Sequence, residues 1–158
     1  RDTRDADGVY RKYASFCVGE QIIPKNLLFG HEWVVKSQYP VARPHVEEMI
    51  EYCGTNPHEA QLRGIFRDAN VEYGRIDYAL LDGKIQVWEI NTNPVITRPP
   101  ERYARLFPEA LRIQRRFIDQ LTEAFLALDS PSDYEPVAID WESVYTGGLG
   151  PALRGISR

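Results

Sequence analysis

The feature that most constrains the fold is a pair of strand-like runs, YGRIDYALL and KIQVWEIN, joined at Asp82-Gly83. Runs of β-type residues on both sides of an Asp-Gly pair are typical of an antiparallel hairpin. An earlier pair of runs, VYRKYASFCV and QIIPKNLLF, meets at Gly19-Glu20 and predicts a second hairpin. Pro24 cannot donate to a strand ladder, so its strand must lie at a sheet edge or form a bulge there.

Helical segments are predicted between and after the hairpins. HVEEMIEYC has apolar residues at helical spacing, and Asn56-Pro57 marks a further helix start with Asn56 as its N-cap. PEALRIQRRFIDQLTEAFLALD predicts a long amphipathic helix. The sequence therefore indicates an α+β fold with a largely antiparallel sheet packed with helices. We expect one lobe over residues 1–107, a helix packed on it over 108–130, and an irregular tail over 131–158.

Composition narrows the class of protein. The 158 residues carry a net charge of −4 and no basic cluster, so nucleic acid is not an expected partner. No apolar run approaches the roughly 20 residues that cross a bilayer, so we expect no membrane partner. Cys17 and Cys53 lie far apart and form no CxxC pair, which indicates packed thiols in a reducing compartment. We expect a cytoplasmic protein with one core.

Loop length decides which side chains the hairpin around Asp82-Gly83 brings together. With a two-residue loop, Asp77 and Glu89 would point to opposite faces of the sheet, each among apolar neighbours. A three-residue loop that begins at Leu81, or a bulge with the same effect, would put both carboxylates on one face with Arg75 and Asn91. Burial favours this arrangement, in which the loop or a strand has one extra residue and which we term odd parity. It puts the apolar residues on the other face: Ile76, Tyr78, Leu80, Trp88 and Ile90.

Asp77 and Glu89 would then be close enough to repel each other unless a cation or a proton relieves them. Asn91 beside them is an oxygen ligand that adds no negative charge. Two carboxylates and a carbonyl oxygen are a set that Mg²⁺ accepts, with waters and nucleotide phosphates completing its octahedron. The alternative is a solvated face on which Arg75 forms a salt bridge, and the residue pattern alone favours that arrangement.

The stretch GRIDYALLDGKIQVWEINTNP resembles the C-terminal signature of the ATP-grasp superfamily, which has R-x-D on one strand and E-x-N-x-x-P on the next. This combination is far more specific than either of its parts. The resemblance implies that Asp77, Glu89 and Asn91 are metal ligands, holding two Mg²⁺ ions that bridge the phosphates of ATP. It also implies that Arg75 has the catalytic role of binding the transferred phosphoryl group or the intermediate.

The first hairpin resembles the ATP-grasp strand pair that follows the adenine-binding hinge, and similar YRKY, IIP and NPHE patterns belong to uncharacterised bacterial ATP-grasp proteins. The likeness implies phosphate or carboxylate contacts from Arg11, Lys12 and Lys25, with solvated charges on strand edges as the equal alternative. It covers Val9 to Pro94, the metal-binding half of an ATP-grasp domain. Because there is no room upstream for the first lobe, we expect this chain alone to be incomplete and inactive, with weak or absent ATP binding. We also expect a homo-oligomer through the surface that the first lobe would cover.

Three functions are open at this level. The resemblance implies an ATP- and Mg²⁺-dependent ligase that activates a small-molecule carboxylate as an acyl phosphate for attack by an amine or thiol. A phosphotransferase that phosphorylates a small molecule directly would use the same metal site. A non-catalytic nucleotide-binding or interaction module would keep the fold, although the joint presence of Arg75, Asp77, Glu89 and Asn91 argues against a decayed site.

Overall fold

The predicted strands and helices are present, and the fold class is confirmed as α+β. The computed structural model describes residues 2–35, 42–96 and 108–129. In chain order the elements are β1 Tyr10–Val18, β2 Gln21–Gly30, α1 Arg43–Thr55, α2 Glu59–Asp68, β3 Tyr73–Leu81, β4 Lys84–Asn91 and α3 Pro108–Leu128. The tail expected over 131–158 lies outside the described residues, and the division into lobe, helix and tail stays a prediction.

The strands form an antiparallel sheet of order β2-β1-β3-β4, so the two predicted hairpins lie side by side. Strand β2 lies at one edge of this sheet and carries a bulge. Ala14 pairs with Asn26 and Ser15 pairs with Pro24, which leaves Lys25 as the extra residue. Both arrangements predicted for Pro24, an edge strand and a bulge, are therefore present.

The sheet separates two apolar clusters. On one face, which we term the α1–α2 face, helices α1 and α2 pack over buried side chains that include Tyr13 and Tyr78. On the other, the α3 face, helix α3 packs over β2 and β1. Alternation along β1 sends Phe16 and Val18 to the α3 face, as the strand period predicts. Their helical partners there are Phe117, Leu121 and Ala124.

The turn between β3 and β4 consists of Asp82 and Gly83 alone, because Leu81 pairs with Lys84. Both turn residues have positive φ, 52° and 72°, as a type I′ turn requires. The expected three-residue loop is therefore wrong. An Asp-Gly pair already suits the shorter turn, whose twist matches that of the two strands.

A β-bulge in β4 supplies the odd parity instead. Asp77 pairs with Glu89 and Tyr78 pairs with Val87, which leaves Trp88 as the extra residue. The face-to-face pairing of the two carboxylates is thus confirmed, by the bulge and not by the loop. The core position expected for Trp88 is wrong, since the side chain is 39% exposed on an edge strand.

The junction of α1 and α2 also differs from the expectation. Asn56 has a φ of 49°, in the left-handed region that Asn tolerates, and its backbone N–H donates to the Tyr52 carbonyl at 3.1 Å. Asn56 therefore caps the C-terminus of α1, and its prediction as an N-cap is wrong. Helix α2 begins at Glu59, after His58.

Two expectations from composition can be compared with the structure. Cys17 and Cys53 are both free and buried, as predicted. Burial raises the pKa of the Cys53 thiol to about 12, so little thiolate forms near neutral pH. Within residues 2–35, 42–96 and 108–129, no helix is both long and apolar enough to span a membrane.

Candidate metal and phosphate site

Charged side chains from all four strands meet on the α3 face. Arg75 lies opposite Phe16 and Asp77 lies opposite Ala14 on β1, while Glu89 lies opposite Asp77 on β4. Directly opposite residues in an antiparallel pair share a face of the sheet. We refer to the whole set as the charged cluster: Lys12, Lys25, Arg75, Asp77 and Glu89.

Asp77 is the centre of the charged cluster and is 2% exposed. Its Oδ2 accepts hydrogen bonds from Lys12 Nζ at 2.9 Å and from Arg75 Nη2 at 3.1 Å. The same Nη2 donates to Glu89 Oε1 at 3.2 Å, so Arg75 contacts both carboxylates. The two cations relieve the repulsion between the carboxylates. The salt bridge expected as the alternative to a metal is therefore present.

The second oxygen of Asp77 is unsatisfied. Oδ1 lies 2.8 Å from Arg75 Nε, within ion-pair distance, but the geometry is not that of a hydrogen bond. Both atoms are buried, and neither has a hydrogen-bond partner among the described residues. A buried acceptor left in this state costs about 1–3 kcal/mol. The charged cluster is therefore open to a ligand at this position. A cation there would have to enter together with an anion, because the cluster already has three cations against two carboxylates.

Glu89 and Asn91 extend the oxygen donors along β4. The Glu89 side chain is 57% exposed and can reach a ligand in solvent. Asn91 Oδ1 accepts the backbone N–H of Asn93 at 2.8 Å, which orients the amide and leaves a second lone pair. In the described part of the chain, no group of three His, Cys, Asp or Glu side chains is placed to hold a metal. Two carboxylates and an amide are oxygen donors of the kind that Mg²⁺ uses when waters and phosphate oxygens complete its coordination.

Lys25 is the most buried cation of the charged cluster, and it forms no ion pair with the described residues. It is 8% exposed, and its Nζ donates to the Val95 carbonyl at 3.1 Å and lies 5.4 Å from the centroid of the Phe16 ring. Burial, followed by repulsion from Arg75, lowers the pKa of Lys25 to about 8. With three cations against two carboxylates, the charged cluster attracts a further anion.

Arg11 is not part of the charged cluster, although the sequence makes it a candidate. It lies on the α1–α2 face, where its guanidinium forms ion pairs with Asp5, Asp7 and Glu48 at 2.6 to 2.9 Å. Three carboxylates against one guanidinium leave a net negative charge around Arg11, which repels a phosphate group. These surroundings do not favour the phosphate contact predicted for Arg11.

Sequence reasoning missed the segment that follows β4. Val95 holds Lys25 through its backbone carbonyl, and Asn93 holds Asn91 through its backbone N–H. Every residue has a carbonyl, so no residue pattern could assign the contact of Val95. The Asn91 contact does carry a signal, because an Asn side chain often accepts the backbone N–H two residues on.

Comparison with known proteins does not assign the chain to a family. No family model and no curated protein matches it. Among solved structures, it is similar to a crystal structure of D-alanine–D-alanine ligase from Bacillus anthracis complexed with ATP, over 72% of this chain and 40% of the ligase. The sequence identity is 12% and the TM-score is 0.34, too low to establish a common fold. The chain thus spans 40% of the length of the ligase that it matches.

Proposed function

We propose that this chain is the metal-binding half of an ATP-dependent ligase of the ATP-grasp type, which activates a carboxylate as an acyl phosphate for attack by an amine or a thiol. The observation that carries the proposal is the β-bulge at Trp88. It pairs Asp77 with Glu89 and lets Arg75 contact both, so the R-x-D and E-x-N-x-x-P motifs form one site. An ordinary salt-bridged surface requires neither a bulge nor a carboxylate that is 2% exposed.

Each side chain of the site has a role toward a triphosphate in this proposal. Asp77, Glu89 and Asn91 would hold Mg²⁺ through oxygen atoms, and Asp77 Oδ1 is the buried acceptor with no hydrogen-bond partner. Bound Mg²⁺ would supply neutralisation of the phosphate charge. Lys12 and Lys25 bring positive charge that binds and orients phosphate or carboxylate oxygens.

Arg75 would stabilise the negative charge that develops on the transferred phosphoryl group, because its guanidinium is already fixed by two carboxylates. The reaction needs no nucleophile from the chain: a substrate carboxylate oxygen attacks the terminal phosphorus, and ADP leaves. The amine or thiol then attacks the acyl carbon and releases phosphate. Positioning and electrostatics are what adjacent strands can provide, since β3 and β4 hold Arg75, Asp77 and Glu89 in register.

Isothermal titration calorimetry with Mg-tripolyphosphate and with Mg-ATP tests the site. The described residues offer groups for phosphate and metal, so we expect the two ligands to bind with similar affinity. Glu89→Ala should weaken both about tenfold or more, which corresponds to about 1.4 kcal/mol. Glu51→Ala, an exposed glutamate of α1, is the matched control and should change neither affinity. Absence of Mg-tripolyphosphate binding to the wild type, or undiminished binding to Glu89→Ala, would contradict the proposal.

Product analysis separates a ligase from the other two functions. ATP, Mg²⁺ and a panel of carboxylic acids are incubated with the protein and hydroxylamine, which converts an acyl phosphate into a hydroxamate. Release of ADP with formation of a hydroxamate supports the ligase. A stable phosphorylated product would indicate the phosphotransferase. Binding without release of ADP by a version of the protein that carries both lobes would indicate a non-catalytic module.

A further inference from the structure

A second polar site lies on the opposite face of the sheet, where the segment before β1 meets β1 and α1. A cavity of about 450 Å³ is open there to solvent. Its wall includes Asp5, Asp7, Arg11, Tyr13, Glu48 and Leu80, and we refer to it as the acidic cavity. Because Arg11 and Tyr13 project from β1 on the α1–α2 face, the acidic cavity is separate from the charged cluster.

The carboxylates of the acidic cavity converge on Arg11. Nη1 donates to Asp5 Oδ2 at 2.9 Å, and Nη2 donates to Asp7 Oδ2 at 2.9 Å. Nε donates to Glu48 Oε1 at 2.6 Å. One positive charge against three negative charges leaves a net charge of −2. All three carboxylates are partly exposed, so their remaining lone pairs are accessible to a cation.

Tyr13 brings an unpartnered hydroxyl to the same cavity. The residue is 8% exposed, and its ring packs against Tyr52 and Tyr78 with centroids 5.0 and 5.2 Å away. Unlike the hydroxyls of those two tyrosines, the Tyr13 hydroxyl makes no hydrogen bond with the described residues. Burial raises the pKa of Tyr13 to about 12, so the hydroxyl stays neutral and can accept. The hydroxyl oxygen is not one of the buried unpartnered atoms, so it opens on the cavity and is accessible to a ligand there.

We propose that the acidic cavity binds a small primary alkylammonium ion. The ammonium N–H groups would donate to free carboxylate lone pairs and to the Tyr13 hydroxyl, and the alkyl chain would pack on Leu80. Such a ligand offsets the net negative charge and gives the Tyr13 hydroxyl a hydrogen-bond partner. A metal ion fits less well, because the guanidinium of Arg11 already occupies the point of convergence and the described residues hold no group of three metal ligands.

Calorimetric titration with 1,4-diaminobutane at low ionic strength tests this inference, since its two charges match the net charge of the cavity. We expect saturable binding of one molecule per chain that weakens as salt is added. Tyr13→Phe removes the acceptor and should weaken binding about tenfold, the size expected for a hydrogen bond to a charged group. Asp5→Asn should weaken it severalfold and reduce the dependence on salt.

Asp82→Asn is the matched control for Asp5→Asn, because it removes the same charge from the exposed β3–β4 turn and should leave the affinity unchanged. Absence of saturable binding, or equal affinities for the wild type and Tyr13→Phe, would overturn the inference. If Tyr13→Phe does not fold, equal affinities for Asp5→Asn and Asp82→Asn would overturn it instead. Displacement of the diamine by equimolar Mg²⁺ would overturn the choice of an ammonium ligand. None of these outcomes bears on the ligase proposal, which concerns the other face.

Discussion

Two polar networks on opposite faces of the sheet differ in how completely their hydrogen bonds are formed. On the α1–α2 face, the Tyr52 hydroxyl is bonded to Ser15 Oγ at 2.8 Å and to the Tyr78 hydroxyl at 3.1 Å. Tyr52 also donates to the Ala14 carbonyl at 3.2 Å, and Tyr78 is bonded to His58 Nδ1 at 2.9 Å. The result is a connected chain of hydrogen bonds between groups that carry no opposing charges. We refer to Ser15, Tyr52, Tyr78 and His58 as the hydroxyl chain.

On the α3 face, the hydrogen bonds and ion pairs of the charged cluster are incomplete among the described residues. Arg75 Nε and Asp77 Oδ1 are buried without hydrogen bonds, and Lys25 has no ion pair with the described residues. A satisfied buried network stabilises a fold, whereas an incomplete network of charges costs stability. The difference supports the proposal that the charged cluster binds a ligand, whereas the hydroxyl chain contributes to the stability of the fold.

Removal of Asp77 should have the largest effect on stability. Asp77→Ala leaves Lys12 and Arg75 without their shared carboxylate, close to the charge of Lys25. Removing one partner of a buried ion pair costs about 3–5 kcal/mol. Because the two cations are partly exposed, we expect the free energy of unfolding to fall by about 3 kcal/mol. Urea unfolding at pH 7 measures it. Asp77→Asn removes the same charge but keeps the shape and an acceptor, so it should lose less. Equal losses from the two variants would attribute the loss to the charge alone, and no loss from Asp77→Ala would contradict the prediction.

Lys25→Met should have the opposite effect and stabilise the protein at pH 7. A shift of one pKa unit is about 1.4 kcal/mol, so lowering the Lys25 pKa from 10.5 to about 8 places an upper bound of about 3 kcal/mol on the gain. Loss of the hydrogen bond to Val95 reduces the expected gain to about 2 kcal/mol. The same variant should bind Mg-tripolyphosphate more weakly, because one cation of the charged cluster is gone.

The pH dependence of this gain checks its origin. Below pH 8 both folded and unfolded wild type carry the charged Lys25, and the folded state bears the full cost of burying it. Between about 8 and 10.5 the folded state releases the proton first, so the wild type gains stability relative to Lys25→Met. Paired urea titrations at pH 7, 9 and 10.5 should therefore show a shrinking difference. A constant difference would attribute the gain to packing against Phe16.

The sequence predicts the strands and the parity of the second hairpin because both follow from local residue types and burial. It does not predict how the parity arises, since a longer loop and a bulge have the same effect on the faces. Trp88 shows why the sequence does not locate the bulge. An aromatic residue in an alternating run is expected in the core, but the extra residue of a bulge does not follow the alternation of faces. Ile90, beyond the bulge, packs against the core as predicted.

The three basic candidates of the first hairpin show the same limit for the site. Arg11 and Lys12 are neighbours in one strand, so alternation alone tells that they cannot both face the charged cluster. Which of them does so depends on pairing with β3, a non-local contact that the sequence does not specify. Lys25 reaches the α3 face as the extra residue of a bulge, for which Pro24 is the only local signal.

Breaking the hydroxyl chain at Tyr78 should destabilise the protein less than removing the Asp77 carboxylate. Tyr78→Phe deletes the hydroxyl that joins Tyr52 to His58, so His58 Nδ1 loses this partner while Tyr52 keeps its bonds to Ser15 and Ala14. We expect a loss of about 1–2 kcal/mol, within the range for unsatisfied buried groups. Tyr73→Phe, which removes a tyrosine hydroxyl on the α3 face, is the matched control and should cost under about 0.5 kcal/mol. Equal losses in urea unfolding would show that the chain contributes no stability.

The smallest expected effect is the pH dependence that His58 gives to the hydroxyl chain. Burial lowers the pKa of His58 below its usual 6.5, so the unfolded chain takes up a proton at higher pH than the folded protein does. Stability should therefore fall as the pH is lowered through and below 6.5, and His58→Gln should reduce that fall. Urea midpoints at pH 7.5, 6.5 and 5.5 measure the difference between wild type and variant. Tyr78→Phe keeps His58 buried, so this variant should show the same pH dependence of stability as the wild type. If the pH dependence is lost in Tyr78→Phe but kept in His58→Gln, its source is not the His58 imidazole.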